Sequence, residues 1–261
     1  MDPVISLYGA SKYPNNMLDF YNGLGNNKIP FEVVFAGPTP PDFELPSNFR
    51  YIVTNVKPVQ CCEIAARATK GDYIALVADD LTFLGDAPLD KLYELFQKAN
   101  DKKVVISCQC YIDSSNYVSA HYLFKERYNA DVITALAGLM SKEFFLEAGG
   151  YDRNFVWAFA IEDLILRMYA AGGHVEMSDI ICNEITIKNS HDSLCAKGMP
   201  DWVLLSDLWT TAGTIRFMGM PELDPPIISN MREVRLRPLE PFTAEGLLTQ
   251  SQGNITNWLF D

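Results

Sequence analysis

The chain has 261 residues, 48% hydrophobic and 21% charged, the composition of a folded globular protein rather than a disordered one. Lysine and arginine total 21 against 33 acidic residues, a net charge of −12 with a pI near 4.7. A surface this acidic repels phosphate backbones and anionic lipid, so nucleic acid and membrane surfaces are not expected partners.

The first 110 residues alternate strand and helix patterns. Val4–Tyr8 is a short apolar strand, followed by the breaker cluster Ser11–Asn16. Met17, Leu18, Phe20, Tyr21 and Leu24 then approximate one helical face. Phe31–Phe35 is a buried-strand run closed by Ala36-Gly37-Pro38, and Arg50–Thr54 is another short strand. Pro58 stands where a first helical turn tolerates proline, with Val59, Cys62, Ala65 and Ala66 at helical spacing. Gly71 is expected to end that helix. Tyr73–Ala78 reads as a fully buried strand stopped by Asp79-Asp80. Pro88 opens a helix with Leu89, Leu92, Phe96 and Ala99 on one face, and Val104–Cys110 is the next strand. This alternation predicts an α/β protein with a mainly parallel sheet sandwiched by helices.

The second half is less regular. Tyr111–Tyr128 reads as a long loop or short hairpin, and Ala137–Met140 as a strand. Ser141 is a candidate N-cap for a helix over Lys142–Ala148 that ends at Gly149-Gly150. Glu162–Ala171 is helical and stops at Gly172-Gly173, before strands at Val175–Met177 and Ile180–Ile187. Ser193–Asp261 carries prolines at 200, 221, 225, 226, 238 and 241 and is expected to wrap over the core.

No apolar run reaches the roughly 18–20 residues of a membrane span. Met1-Asp2-Pro3-Val4 lacks the basic start of a secretory signal, so a cytoplasmic location is expected. Cysteines at 61, 62, 108, 110, 182 and 195 match no Cys-x-x-Cys spacing. Reduced, mostly buried thiols are expected, with zinc as the alternative.

Two acidic pairs carry the chemistry. Asp79-Asp80 closes a strand at the carboxyl end, where open α/β sheets bind ligands, and two carboxylates there call for a cation or donors. A divalent metal shared with ligand phosphates fits such a place, as does a plain acidic turn. Glu162-Asp163 opens an amphipathic helix. Acidic residues in a first turn stabilise it through the helix dipole, and a carboxylate there can also act as a general base. Trp157 and Phe159 upstream suit sugar stacking or core packing equally. His191, in the polar stretch Asn189-Ser190-His191-Asp192, is a candidate metal ligand, whereas His121 and His174 read as surface or packing residues. A dinucleotide fingerprint, a P-loop and a nucleophile elbow are all missing.

Three stretches in order resemble the family-2-type glycosyltransferases with the A-type (GT-A) fold. Lys70-Gly71-Asp72-Tyr73-Ile74-Ala75-Leu76-Val77-Ala78-Asp79-Asp80 is similar to the family's G-[DE]-Y-I-x-x-L-D-x-D. The segment from Leu139 to Gly149-Gly150-Tyr151-Asp152 resembles its G-G-[FY]-D stretch, and Ile161–Gly173 resembles E-D-x-[DE]-L-x-x-R-x-x-x-x-G. The resemblance covers about residues 4–191. It departs from the pattern at Ala78, where the family has its first metal-motif aspartate. It departs again at Phe35-Ala36-Gly37-Pro38-Thr39, where the family has base-binding aspartates, and at Cys62-Glu63, where it has Arg-Asn.

The resemblance implies a catalytic domain over 1–191, with a nucleotide-sugar half (1–110) and an acceptor half (111–191). Residues 192–261 would form a C-terminal extension packing on the core. It implies a metal-dependent inverting transfer from a nucleotide-diphospho-sugar, with a UDP-sugar favoured, to a glycan or other acceptor hydroxyl. Mn²⁺ or Mg²⁺ would be held at Asp80 and His191. Tyr8, Ala36, Asn55, Ala78 and Asp79 would line the donor site, and Trp157 and Phe159 the acceptor site. Asp163 would take the acceptor proton, and Glu162 would be a second catalytic residue. Two alternatives stand beside this reading. One is a non-catalytic sugar or nucleotide binder on the same fold. The other is a sugar-1-phosphate nucleotidyltransferase, which Tyr8–Asn16 fits poorly because it lacks a glycine-rich basic loop.

Overall fold

The computed structural model describes residues 2–11, 13–112, 116–117, 135, 137–152, 154–156, 159–184, 201, 204–205 and 208. Four parallel strands form its first half: β1 (Ile5–Ala10), β2 (Phe31–Gly37), β3 (Phe49–Val53) and β4 (Tyr73–Leu76), in the order β3-β2-β1-β4. The crossovers carry α1 (Met17–Gly23) after a one-turn 3₁₀ segment at Pro14–Asn16, and α2 (Pro58–Ala68). Beyond β4 come β5 (Leu81–Leu84), α3 (Pro88–Ala99), β6 (Val104–Ile112), β7 (Asn116–Tyr117) and β8 (Leu139–Ser141). They are followed by α4 (Lys142–Glu147), α5 (Ala160–Ala170) and β9 (His174–Glu184). The sheet continues β4-β8-β6-β9-β5, with β7 paired to β6.

Side chains alternate across this sheet with period 2. Ile5, Leu7, Val33 and Phe35 face one apolar layer with α1 and α3, built on Met17, Phe20, Leu89, Leu92 and Phe96. Tyr8, Val34 and Ala36 face the other, with α2, α4 and α5, built on Ile64, Ala65, Phe144, Phe145, Leu164 and Ile165. Both faces are covered, which is why these strands read as continuous apolar runs. Pro58 and Pro88 open their helices as expected, and the Ser141 hydroxyl caps α4 by accepting the Phe144 N–H at 3.1 Å.

The sheet is parallel in its first half but mixed in its second. β8 is antiparallel to both β4 and β6, and β5 is antiparallel to β9, while β6 and β9 are parallel. β5 was not foreseen: four residues between an acidic turn and Gly85 are too short to show a period. The two strands expected at Val175–Met177 and Ile180–Ile187 are one strand through Glu184. Gly71 does not end α2, which stops at Ala68 with the Thr69 hydroxyl on the Ala66 carbonyl at 2.6 Å. Gly71 instead meets β1 so closely that a Cβ would lie 2.7 Å from Ser6 Oγ. The expected hairpin after β6 begins with Tyr111 opposite Tyr117. Of the extension, Leu205 is buried in the α2/α4/α5 layer, and Asp201 accepts the Val156 N–H. Among the described residues no helix is long and apolar enough to cross a membrane.

Candidate active site

The carboxyl ends of β1 to β4 lie along one edge, the edge at which parallel sheets receive ligands. Ser11 follows β1 directly. Its N–H donates to the Ala36 carbonyl at 2.9 Å and its hydroxyl to Asp79 Oδ2 at 2.8 Å. The same carboxylate oxygen accepts the Tyr13 N–H at 2.7 Å. Asp79 therefore anchors the loop after β1 to the end of β4. Gly37 makes this convergence possible, because a Cβ there would stand 2.2 Å from the Ser11 carbonyl oxygen and 2.5 Å from the Tyr51 hydroxyl. Ala36 is buried, Ala78 half-buried and Asn55 exposed along this edge.

Asp80 turns toward a different neighbour. Glu184 ends β9 in register with Leu81, and its charge reaches Asp80. Burial, then Glu184, then Asp79 push the Asp80 carboxyl up to about 7. Three carboxylates held near one edge favour a proton or a cation, and their hard oxygens suit Mg²⁺ or Mn²⁺. Among the described residues, no three His, Cys, Asp or Glu side chains converge as a metal cage, so a cation at Asp80 would draw further ligands from elsewhere. His191, the second expected ligand, lies outside the described residues, as does Trp157.

Tyr8, expected at the donor site, is fully buried in the α2/α4/α5 layer, and its hydroxyl bonds that of Tyr151 at 2.9 Å. Burial holds both phenols far above their ordinary range.

The second acidic pair sits at the start of α5. Phe159, the residue before the helix, is in the left-handed region at φ 62°, unusual for a bulky residue and the kind of strain that concentrates at functional sites. Its side chain is half-buried against the α2/α4/α5 layer. Asp163 is 1% exposed and pairs with the equally buried Arg167, Nε to Oδ2 at 2.9 Å, one helical turn on. Arg167 completes its fork on backbone carbonyls, Nη2 on Gly150 at 2.6 Å and Nη1 on Ala148. Glu162 differs. One of its carboxylate oxygens is buried without a hydrogen-bond partner among the described residues, and burial, followed by the charge of Asp163, pushes its carboxyl up to about 7.

Sequence reasoning missed a further buried acid, Glu63 of α2. It accepts the Tyr151 N–H at 2.8 Å and pairs with Arg67. Gly150, at φ 70°, passes so close that a Cβ would lie 2.7 Å from both Glu63 oxygens. Glu63 thus grips from α2 the same turn that Arg167 grips from α5. The Glu63-x-x-x-Arg67 spacing shows the pair, but nothing local shows the contact with Tyr151.

The fold is the A-type glycosyltransferase fold anticipated from the sequence. No protein-family model and no curated protein matches this chain. Among solved structures it is similar to S. aureus TarS 1-349 in complex with UDP-GlcNAc, with a TM-score of 0.54 and 10% identity over 74% of this chain. The structure of S. aureus TarS 1-349 matches at 0.53 and 10% identity, covering 82% of this chain and 76% of that one. The longer S. aureus TarS matches at 0.54 and 10% identity, covering 79% of this chain and 40% of that one. This chain spans 61% of the UDP-GlcNAc complex.

Proposed function

We propose that the protein is an inverting glycosyltransferase of the family-2 type, moving a sugar from a nucleotide-diphospho-sugar, a UDP-sugar in the first instance, to an acceptor hydroxyl. The observation that carries this is Glu162, a carboxyl poised near 7 with a buried oxygen unpartnered among the described residues, on a fold whose solved neighbour binds UDP-GlcNAc. In this reading residues 1–110 hold the donor and 111–191 shape the acceptor site. The acceptor oxygen attacks the anomeric carbon in line as the bond to the diphosphate breaks, and Glu162 takes the hydroxyl proton. Asp163, tied to Arg167, holds α5 in place and leaves the proton to its neighbour. Asp80, with His191, would hold Mn²⁺ or Mg²⁺, which when bound supplies Lewis-acid stabilisation of the departing diphosphate.

Ala78, standing where the family places a first metal aspartate, favours the second reading, a non-catalytic binder. Radiolabelled sugar transfer from UDP-sugars to a glycan panel decides between them. Donor binding without any transfer to acceptor or water supports the binder.

Two results follow for the acidic pairs. Asp80→Ala should weaken Mn²⁺-dependent UDP binding at least tenfold by calorimetry with little change in melting temperature, because Asp80 is only half-buried beyond the end of β4. Unchanged affinity would remove it from the donor site. Glu162 must be ionised to accept a proton, so kcat should rise with pH through about 7 and level off above it. Asp80 ionises in the same range, but its limb should appear in donor affinity. A kcat limb at pH 4 to 5, the range of an unperturbed carboxylate at about 4.3, would count against Glu162.

A further inference from the structure

Three of the described cysteines, none of them assigned to the site, share one place in the core. Cys108, Cys110 and Cys182 are all buried in the layer between the sheet and α1/α3. Cys110 on β6 and Cys182 on β9 are direct register partners in a parallel ladder, so their side chains leave the sheet on the same face, side by side. Their sulfurs stand 2.7 Å apart, well inside the ~3.5–4.0 Å of ordinary non-bonded contact. Neighbouring strands and a shared face bring the two side chains together, the first condition for a cystine. Among the described residues, the Cys61-Cys62 neighbours, successive on one helix, have no such register partner, and Cys108, displaced by the irregularity in the β6–β9 register between Ser107 and Gln109, reaches Cys182 only from off register.

We propose that Cys110 and Cys182 are an oxidation site, a dithiol that closes to a cystine when a peroxide reaches it. One thiol gives up its proton and attacks a peroxide oxygen. The O–O bond breaks, leaving a sulfenic acid and releasing water. The second sulfur then attacks the first, the S–O bond breaks, and the departing hydroxide leaves as water with the second thiol's proton. Two thiols and one hydrogen peroxide thus become one cystine and two waters. Cys110 is pushed up by its contact with Cys182 and by burial, and Cys182 by its contact with Cys108 and by burial, so both thiols stay protonated at neutral pH and closure is slow beside that of an exposed thiolate.

The cross-link would join residues 72 apart and enclose α4, the Gly149-Gly150 turn and α5 with Glu162 and Asp163. It would also lock β9 to β6 two residues before Glu184, which faces Asp80. Closing so long a loop constrains the unfolded chain and raises the melting temperature. The inference does not depend on the transferase reading, and the two fail separately.

The test uses the full chain, reduced, desalted and exposed to graded hydrogen peroxide, then alkylated after denaturation. Reduced protein should show all six thiols. Oxidised protein should show two fewer, a mass lower by about 2 Da, and a linked peptide pair containing Cys110 and Cys182. Its melting temperature should rise by several degrees and return with dithiothreitol. Cys108→Ala should preserve the link and Cys110→Ala should abolish it. Retention of six alkylatable thiols under peroxide that oxidises the denatured chain would overturn the proposal. So would a link mapped to Cys61-Cys62 or to Cys108.

Discussion

Glu162→Gln should lower glycosyl transfer by ~10²–10⁴ while leaving the fold and the donor affinity in place, the range expected for loss of a general base. The amide keeps the size and shape of the side chain and loses only its affinity for a proton. The variant should not be destabilised above pH 7. There the wild-type carboxyl must carry a charge against its burial and against Asp163, whereas the amide carries none. The sign follows from the raised folded-state pKa. Between the unfolded value near 4.3 and about 7, the folded protein holds the proton more tightly than the unfolded chain, so ionisation costs stability as pH rises through that window. Melting temperatures at pH 8 should therefore be equal or higher in Glu162→Gln. If Glu162 served only the helix dipole, the result would be near-normal turnover with a loss of a few tenths to ~1 kcal/mol. Transfer rate and thermal midpoint on one variant separate these outcomes.

The first 110 residues were legible in the sequence because most elements there have a local signature. Strands buried on both faces read as apolar runs, Pro58 and Pro88 mark first turns, and Asp79-Asp80 stops a strand at the ligand edge. Three kinds of feature escaped. β5 is too short for a period to register. Glu184 reads as strand interior until its register with Leu81 is known, since a strand's last residue has no local mark. Glu63 binds the backbone of Tyr151, 88 residues away, and no spacing rule crosses that distance. The acidic pair on α5 is a subtler case. From the sequence Asp163 was the candidate base, whereas Glu162 holds that role in the proposed mechanism. The difference lies in what each side chain meets: Arg167 stands one turn beyond Asp163, and one Glu162 oxygen meets no partner among the described residues.

That difference sets the second large effect. Asp163→Asn should cost about 3–5 kcal/mol of stability, the usual loss when one member of a buried ion pair is removed and the other is left unpaired. Arg167 is 1% exposed and cannot turn its charge to water without abandoning the Ala148 and Gly150 carbonyls. For a domain of this size the loss corresponds to a fall of roughly 10 °C in melting temperature. Asp163→Leu combined with Arg167→Met removes both charges. It should recover part of the loss, because a buried pair replaced by apolar groups of similar volume is often near neutral. Recovery should stay incomplete, since Arg167 also holds the Gly150 turn against Glu63. Transfer should fall in Asp163→Asn only as far as α5 loosens, and turnover at low temperature should return toward wild type. The opposite pairing, an unchanged melting temperature with transfer abolished at every temperature, would assign the proton to Asp163 and return Glu162 to the helix dipole.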